Sequence, residues 1–303
     1  MAVWLDDVVS EENLLFPGHA ACAGCAPAIN VRHVLGALTA ARPETRIVLV
    51  IPASCWTIIA GVYPVNAFDV AVHLTPFASA AAEASGLKAA MRLRGLDDTT
   101  IVVWAGDGAT SDIGFSGVSA AAERNEDFIY VLNDNEAYMN TGVQKSGATP
   151  EGAWTTTTPA SHPRSGQKKE IARIMAAHGV PYVATLAAGT LPMLKDFRRK
   201  VARAAGIDGF RFLHVLGPCP PGWRYPTSQS TEIARLAVES RSFPLWECDD
   251  GAFRITYEPK HTVPVREYLE RQGRFSHLTE EQIATIQTHV DERWRRLVAR
   301  GLM

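Results

Sequence analysis

The chain has 303 residues, enough for one large domain or two modest ones. Hydrophobic residues make up 47% and charged residues 20%, and 30 Lys and Arg against 32 Asp and Glu leave a formal net charge of -2. That balance shows no basic footprint for nucleic acid, and no apolar run reaches the roughly 18–20 residues that cross a bilayer. Residues 1–16 carry Asp6, Asp7, Glu11 and Glu12 rather than a basic start and an apolar stretch. No secretory signal is expected, and a cytoplasmic location is the default.

In chain order, Cys22-Ala23-Gly24-Cys25 comes first. A pair at this spacing suits a zinc knuckle, a redox dithiol or half of an iron–sulfur site. The five cysteines are an odd number, and clustered cysteines in a large intracellular chain more often bind metal or do redox chemistry than form structural disulfides. Short apolar runs bounded by Gly, Pro, Asp or Asn predict buried strands over 46–51, 100–104, 128–132, 182–186, 211–216 and 244–247. Helices are predicted over 78–94, 112–124, 167–178, 191–205 and 228–238. Alternating strand and helix implies an α/β fold with a doubly wound, mostly parallel sheet. Thr279 followed by Gln282 reads as a capping box that opens a helix to about residue 299. Residues 1–243 read as the main domain and 244–303 as an extension packing on it. Loops 140–166 and 217–226 are long, the second with four prolines around Cys219, and long loops within a compact α/β domain are often functional.

Two loops carry the chemistry. Gly106-Asp107-Gly108 follows strand 100–104 at its carboxyl end, where open α/β sheets bind ligands. The glycines let backbone approach a phosphate, and Asp107 suits Mg²⁺, a hard cation that takes oxygen ligands. Asn133-Asp134-Asn135 follows strand 128–132. One strand–helix–strand unit separates the two loops, which places them at adjacent strand tips. Either loop alone is a common turn; the pair at this spacing favours a magnesium–diphosphate site.

The spacing matches the thiamine diphosphate motif. The segment Asp134-Asn135-Glu136-Ala137-Tyr138-Met139-Asn140-Thr141-Gly142, then Ala148-Thr149-Pro150, resembles the β subunit of the 2-oxoacid:ferredoxin oxidoreductase family, especially its pyruvate type. The resemblance spans about residues 18–222. It implies the diphosphate-type thiamine-binding fold, with Gly106, Asp107, Gly108, Ala109, Asn135, Ala137, Tyr138 and Asn140 around the cofactor. It gives Mg²⁺ to Asp107, the Asn135 side chain and the Ala137 carbonyl, and places Asn140 near the thiazolium and the substrate. Gly18-His19-Ala20-Ala21-Cys22-Ala23-Gly24-Cys25 and Pro218-Cys219-Pro220 resemble the family's cluster segments. Cys22, Cys25, Cys55 and Cys219 would then ligate one [4Fe-4S] cluster, with His19 a candidate catalytic residue beside them. Cys248 is left over and reads as a small buried hydrophobe.

The Glu that activates thiamine belongs to a pyrimidine-binding domain that this chain does not show. The resemblance places that domain on an α subunit, and any distal clusters on further γ- or δ-type subunits. The expected reaction is oxidative decarboxylation of a 2-oxo acid, with coenzyme A taking the acyl group and ferredoxin or another acceptor taking the electrons. Arylglyoxylate and oxalate oxidoreductases are alternatives within the family. Outside it, a non-oxidative thiamine enzyme would need no cluster, and a zinc-stabilised scaffold would need no Asp107–Asn135 pair. Residues 112–115 have two readings: shaping the substrate pocket, or core packing by Ile113 and Phe115 with Asp112 as helix cap. Ser79, where pyruvate-type members carry Asn, either makes room for a bulkier acid or is neutral.

Overall fold

The computed structural model describes residues 13–61 and 64–301, with the main chain alone at 300 and 301. The acidic stretch with Asp6, Asp7, Glu11 and Glu12 lies outside the described residues.

One eight-stranded sheet organises the molecule. Its strands are β1 (Arg46–Pro52), β2 (Ala71–Thr75), β3 (Thr99–Gly106), β4 (Phe128–Asp134), β5 (Tyr182–Leu186), β6 (Phe210–Leu216), β7 (Leu245–Asp249) and β8 (Ala252–Tyr257). They lie in the order β2-β1-β3-β4-β6-β5-β7-β8. The six strands from β2 to β5 in that order run parallel, and β7 and β8 add an antiparallel edge. The helices are α1 (Ala26–Ala41), α2 (Cys55–Ile59), α3 (Ala80–Leu93), α4 (Asp107–Ser111), α5 (Phe115–Glu123), α6 (Ile171–Ala177), α7 (Leu191–Ala205), α8 (Pro220–Trp223), α9 (Ser230–Glu239), α10 (Val265–Glu270) and α11 (Glu280–Gly301).

Strand side chains alternate between two cores. Val102, Trp104, Val131 and Leu213 pack with Val31, Leu35 and Phe197 of α1 and α7. Ile101, Val103, Tyr130 and Phe212 pack on the other face with Ala84, Val118 and Met175 of α3, α5 and α6. Both faces are covered, which is why these strands read as unbroken apolar runs. Each fully buried Val, Leu or Phe contributes about 1.5–3 kcal/mol. Trp294 and Leu297 of α11 close the second core, and Val290 belongs to a third cluster around Trp223 and Tyr268. The α11 cap forms as read: Thr279 N donates to Gln282 Oε1 at 2.9 Å, and Gln282 N donates to Thr279 Oγ1 at 3.3 Å.

The helix expected over 112–124 is α5, which starts only at Phe115; the short α4 precedes it, and Asp112, with φ -123° and ψ -96°, separates the two. Sequence reading gave no prediction for β2, β8, α1, α2 or α10. Edge strands β2 and β8 are only part-buried, so they lack a continuous apolar run. The start of α1 is disguised by the cysteine loop and Pro27, which suits a first helical turn.

Register places the carboxyl ends of four adjacent strands together. Gly106 pairs with Asn133 across β3 and β4, and Asp134 pairs with Leu216 across β4 and β6. Beyond β1 lies Cys55, and beyond β6 lies Cys219. The two cysteine-bearing tips therefore flank the two tips that carry Asp107 and Asn135.

Candidate functional site

Asp107 opens α4 directly after β3 and is 1% exposed. Its Oδ2 accepts a hydrogen bond from Ser146 Oγ. Burial, and then the neighbouring Asp134 charge, push its carboxyl well above the usual carboxylate range. Buried in this way, the Asp107 carboxyl needs a proton or a cation to neutralise it. The tip of the Asn135 carboxamide lies 3.0 Å from Asp107 Oδ1 and 2.8 Å from the Ala137 carbonyl oxygen. Turned one way, its nitrogen bridges two acceptors. Turned the other way, it presents an oxygen to those same two oxygens, an arrangement that a cation held by them favours. These two distances match the roughly 2.9 Å edge of an octahedron with metal–oxygen distances of about 2.0–2.1 Å.

Glu136, between these two groups, has φ +65°. Its N–H donates to Asp134 Oδ1 at 2.9 Å, and Asp134 Oδ2 pairs with His214 Nε2 at 2.7 Å. Burial alone would raise the Asp134 carboxyl; Lys168 and His214 hold it below its ordinary value. Lys168 Nζ also donates to Glu136 Oε1 at 2.6 Å. Among these, Asp134 and Glu136 stand in the motif segment read from sequence; Lys168 and His214 carried no signal there.

Above this shelf lies an open cleft of about 210 Å³. Gly106, Asp107, Gly108, Ala109, Asn135, Ala137, Tyr138 and Asn140 all line it, together with Ala53, Cys55, Phe77 and Met139. Gly108 is required sterically: a Cβ there would run into the Tyr138 ring. That ring stacks on Phe77 with centroids 5.8 Å apart, and its hydroxyl donates to Asp112 Oδ2 at 3.0 Å. Asp112 Oδ2 also accepts from Gly147 N at 2.8 Å. Asp112 is thus a clamp on the 138–147 loop and not the helix cap; α5 is capped at Gly114 without a side-chain bond. Ile113 is 57% exposed, so it does not pack in the core, whereas Phe115 packs against it. Ser79 does not line the cleft, and its hydroxyl is bound to Glu83 and Thr75. Phe77 is the side chain from that turn that reaches the cleft.

The four expected cluster cysteines converge from separate segments, and none of the five cysteines is joined in a disulfide. Cys22, Cys25, Cys55 and Cys219 lie within electrostatic reach of one another, and Cys55 also within reach of Asp107. Burial, with the neighbouring thiols adding to it, pushes Cys25 up to about 11 and Cys219 up to about 12. Cys55 is raised for the same reasons. Two sulfurs already accept backbone N–H groups, Cys25 from Ala28 and Cys219 from Gly222. Such a donor set is costly as thiolates unless iron or another cation compensates it. Among the described residues no three His, Cys, Asp or Glu side chains are gathered around one ion-sized point. Gly24 has φ +70°, and a Cβ there would strike the Thr227 carbonyl, so the Cys22–Cys25 turn is pressed against the loop before α9. Met139 packs on Gly222 beside Cys219; this contact had no signal in sequence. His19 stands outside the cleft lining, within 3.2 Å of Arg32 through its Nε2. Asn140 is exposed at the cleft. Cys248 is buried in the second core, as expected.

Residues 55–215 match the family model described as thiamine pyrophosphate enzyme, C-terminal TPP binding domain. The chain is 45% identical over 289 residues to the pyruvate synthase subunit PorB of Methanothermobacter marburgensis, covering 93% of this chain and 96% of that one. It is 43% identical over 296 residues to the ketoisovalerate oxidoreductase subunit VorB of Pyrococcus furiosus, covering 94% and 93%. A 2-oxoglutarate:ferredoxin oxidoreductase structure from Magnetococcus marinus shares the fold, with a TM-score of 0.57 and 22% identity over 76% of this chain and 79% of that one. No described helix is long and apolar enough to cross a membrane. With its thiamine pyrophosphate domain and full-length relatives, the chain belongs to the β subunits of the 2-oxoacid:ferredoxin oxidoreductase family.

Proposed function

We propose that this subunit binds thiamine diphosphate through Mg²⁺ and, beside it, one [4Fe-4S] cluster, for the oxidative decarboxylation of a 2-oxo acid such as pyruvate. The observation that carries this reading is the meeting of the Asn135 carboxamide tip with Asp107 Oδ1 and the Ala137 carbonyl oxygen, 3.0 and 2.8 Å away, with Cys55 lining the same cleft. Thiamine supplies the electron sink for decarboxylation, and the cluster removes electrons singly. The protein's residues hold and orient. Asp107, Asn135 and Ala137 grip the metal, and Gly106 and Gly108 let backbone approach the diphosphate. Cys22, Cys25, Cys55 and Cys219 hold the cluster. Asn140 faces the reacting end of the substrate from the cleft rim. Phe77 and Met139 exclude water, and Met139 fills the space between cleft and cluster. His19, tied to Arg32, orders the cysteine loop rather than touching substrate.

An α subunit supplies the pyrimidine-binding domain and its Glu, so this chain alone is inactive. Coenzyme A takes the acyl group, and electrons leave through further γ- or δ-type subunits to ferredoxin or another acceptor. The relatives' names divide between pyruvate and ketoisovalerate, so a branched 2-oxo acid is the second reading. The test uses the native complex, purified anaerobically with its companion subunits. Reduction of a one-electron dye is followed with pyruvate, ketoisovalerate, 2-oxoglutarate, phenylglyoxylate and oxalate, with and without coenzyme A. Coenzyme A-dependent reduction by pyruvate or ketoisovalerate is expected. No reduction by any of them, in a preparation holding thiamine and iron, overturns the reading.

A further inference from the structure

Residues 135–137 present two of the three convergent oxygens, yet their conformation is one that L residues rarely adopt, since Glu136 has φ +65°. Something must hold it. The Asn135 carbonyl accepts from Trp223 Nε1 at 2.7 Å, and Glu136 Oε2 pairs with Arg274 at 2.6 Å. The Arg274 guanidinium in turn lies over the Trp223 ring, 3.7 Å from its centroid. Trp223 and Arg274 are 0% and 2% exposed. Trp223 ends α8, whose first turn starts at Cys219, and Trp223 N donates to the Cys219 carbonyl at 2.8 Å. Arg274 comes from a 3₁₀ turn, Gly273–Phe275, in the C-terminal extension.

We infer that Trp223 and Arg274 are positioning residues for the metal–diphosphate site: stacked on each other, they lock the Asn135–Glu136–Ala137 turn in the one conformation that aims the Asn135 side chain and the Ala137 carbonyl at Asp107. Neither touches the cofactor pocket. Trp223 fixes the peptide that leaves Asn135, and Arg274 fixes the side chain of the strained residue. The extension beyond residue 243 is thereby part of the cofactor site and not only packing. Trp223 also makes the Cys219 loop and the metal turn one mechanical unit. The inference rests on the thiamine reading above.

The test uses the native complex stripped of thiamine diphosphate and Mg²⁺, then titrated with both. Bound thiamine is read by fluorescence after gel filtration, alongside iron, sulfide and melting temperature. Arg274→Met removes a charge-assisted bond and is expected to weaken thiamine diphosphate binding at least about tenfold. Arg274→Lys, which keeps the charge, should recover part of that loss. Trp223→Phe keeps the ring under Arg274 but loses the N–H, and should weaken binding about three- to tenfold with iron content unchanged. Wild-type affinity in both Arg274→Met and Trp223→Phe overturns the inference. So does a loss of thiamine that only tracks loss of iron and melting temperature, or no recovery by Arg274→Lys. A wild-type complex that binds no thiamine diphosphate overturns the thiamine reading itself, and the positioning role with it.

Discussion

The Asp107–Asn135 shelf and the cysteine pocket sit on the same edge of one sheet, yet they are built differently. The shelf comes from two neighbouring strand tips, is nearly sealed from water at Asp107 and Glu136, and is braced by Ser146, Thr149, Trp223 and Arg274. The cysteine pocket is assembled from three separate segments of chain, and Cys22 is exposed. Pre-organisation is therefore greater on the Asp107 side, as the small hard cation proposed there would demand. On the cysteine side, the proposed cluster would supply more of the order.

Asp107→Asn is the sharpest way to break this contrast. Outer partners of metal ligands are worth about 10–100-fold in affinity, so loss of a direct ligand should cost thiamine retention about a hundredfold or more. Iron content should stay. The cofactor-free protein should melt no lower than wild type, because burial beside Asp134 already penalises the Asp107 charge. Thiamine content, iron and a melting curve on one preparation decide it; a fall in all three would make Asp107 a structural carboxylate. Cys219→Ser is the mirror experiment. Iron and sulfide should drop and dye reduction disappear, while thiamine diphosphate still binds at the wild-type level.

Legibility in sequence follows the same division. Gly106-Asp107-Gly108 and Asn133-Asp134-Asn135 are contiguous, follow apolar strands, and meet as the spacing implied. The doubly wound sheet was equally legible, because strands covered on both faces carry continuous apolar runs. The cysteine set emerged only through resemblance, since nothing local ties Cys55 to Cys219, 164 residues later (219 − 55). Trp223, Arg274, His214 and Lys168 were illegible for the same reason: their partners on 134–136 lie far away in sequence. Asp112 misled because a helix cap is the local expectation for Asp, whereas its partners are Tyr138 and Gly147.

A milder change probes how far the cysteine turn depends on its neighbour. Gly24→Ala should cost roughly 1–2 kcal/mol for a left-handed L residue, with the Thr227 carbonyl contact added. Gly18, with φ +86° and open space around it, is the internal control. Gly18→Ala suffers the backbone cost alone. Iron per chain should fall in Gly24→Ala well below that in Gly18→Ala, and thiamine should be retained in both. Equal iron in the two variants would mean that contact with residue 227 does not shape the cysteine turn.

The smallest effect is expected at the opposite, amino end of the sheet, where Asp127 precedes β4. Its carboxylate meets Arg211 at 2.6 Å, Lys88 at 3.0 Å and the half-exposed Arg92 at 3.3 Å. Burial would raise the Asp127 carboxyl, but Arg211 and Lys88 outweigh it and hold it below its ordinary value. A depressed carboxylate contributes stability above the ordinary value of about 3.9, and that contribution is lost as pH falls through the lowered one. Arg92→Ala should therefore cost no more than about 1 kcal/mol at pH 7, as for other exposed ion pairs. The difference from wild type should shrink as pH drops below about 3.9, read from denaturant unfolding at each pH. Iron and thiamine contents should not move at any pH where the protein stays folded, because Arg92 lies on the far side of the sheet from both sites. A change in either would show that charge at the amino edge reaches the carboxyl edge, and the contrast between shelf and cysteine pocket would no longer be a property of those two regions alone.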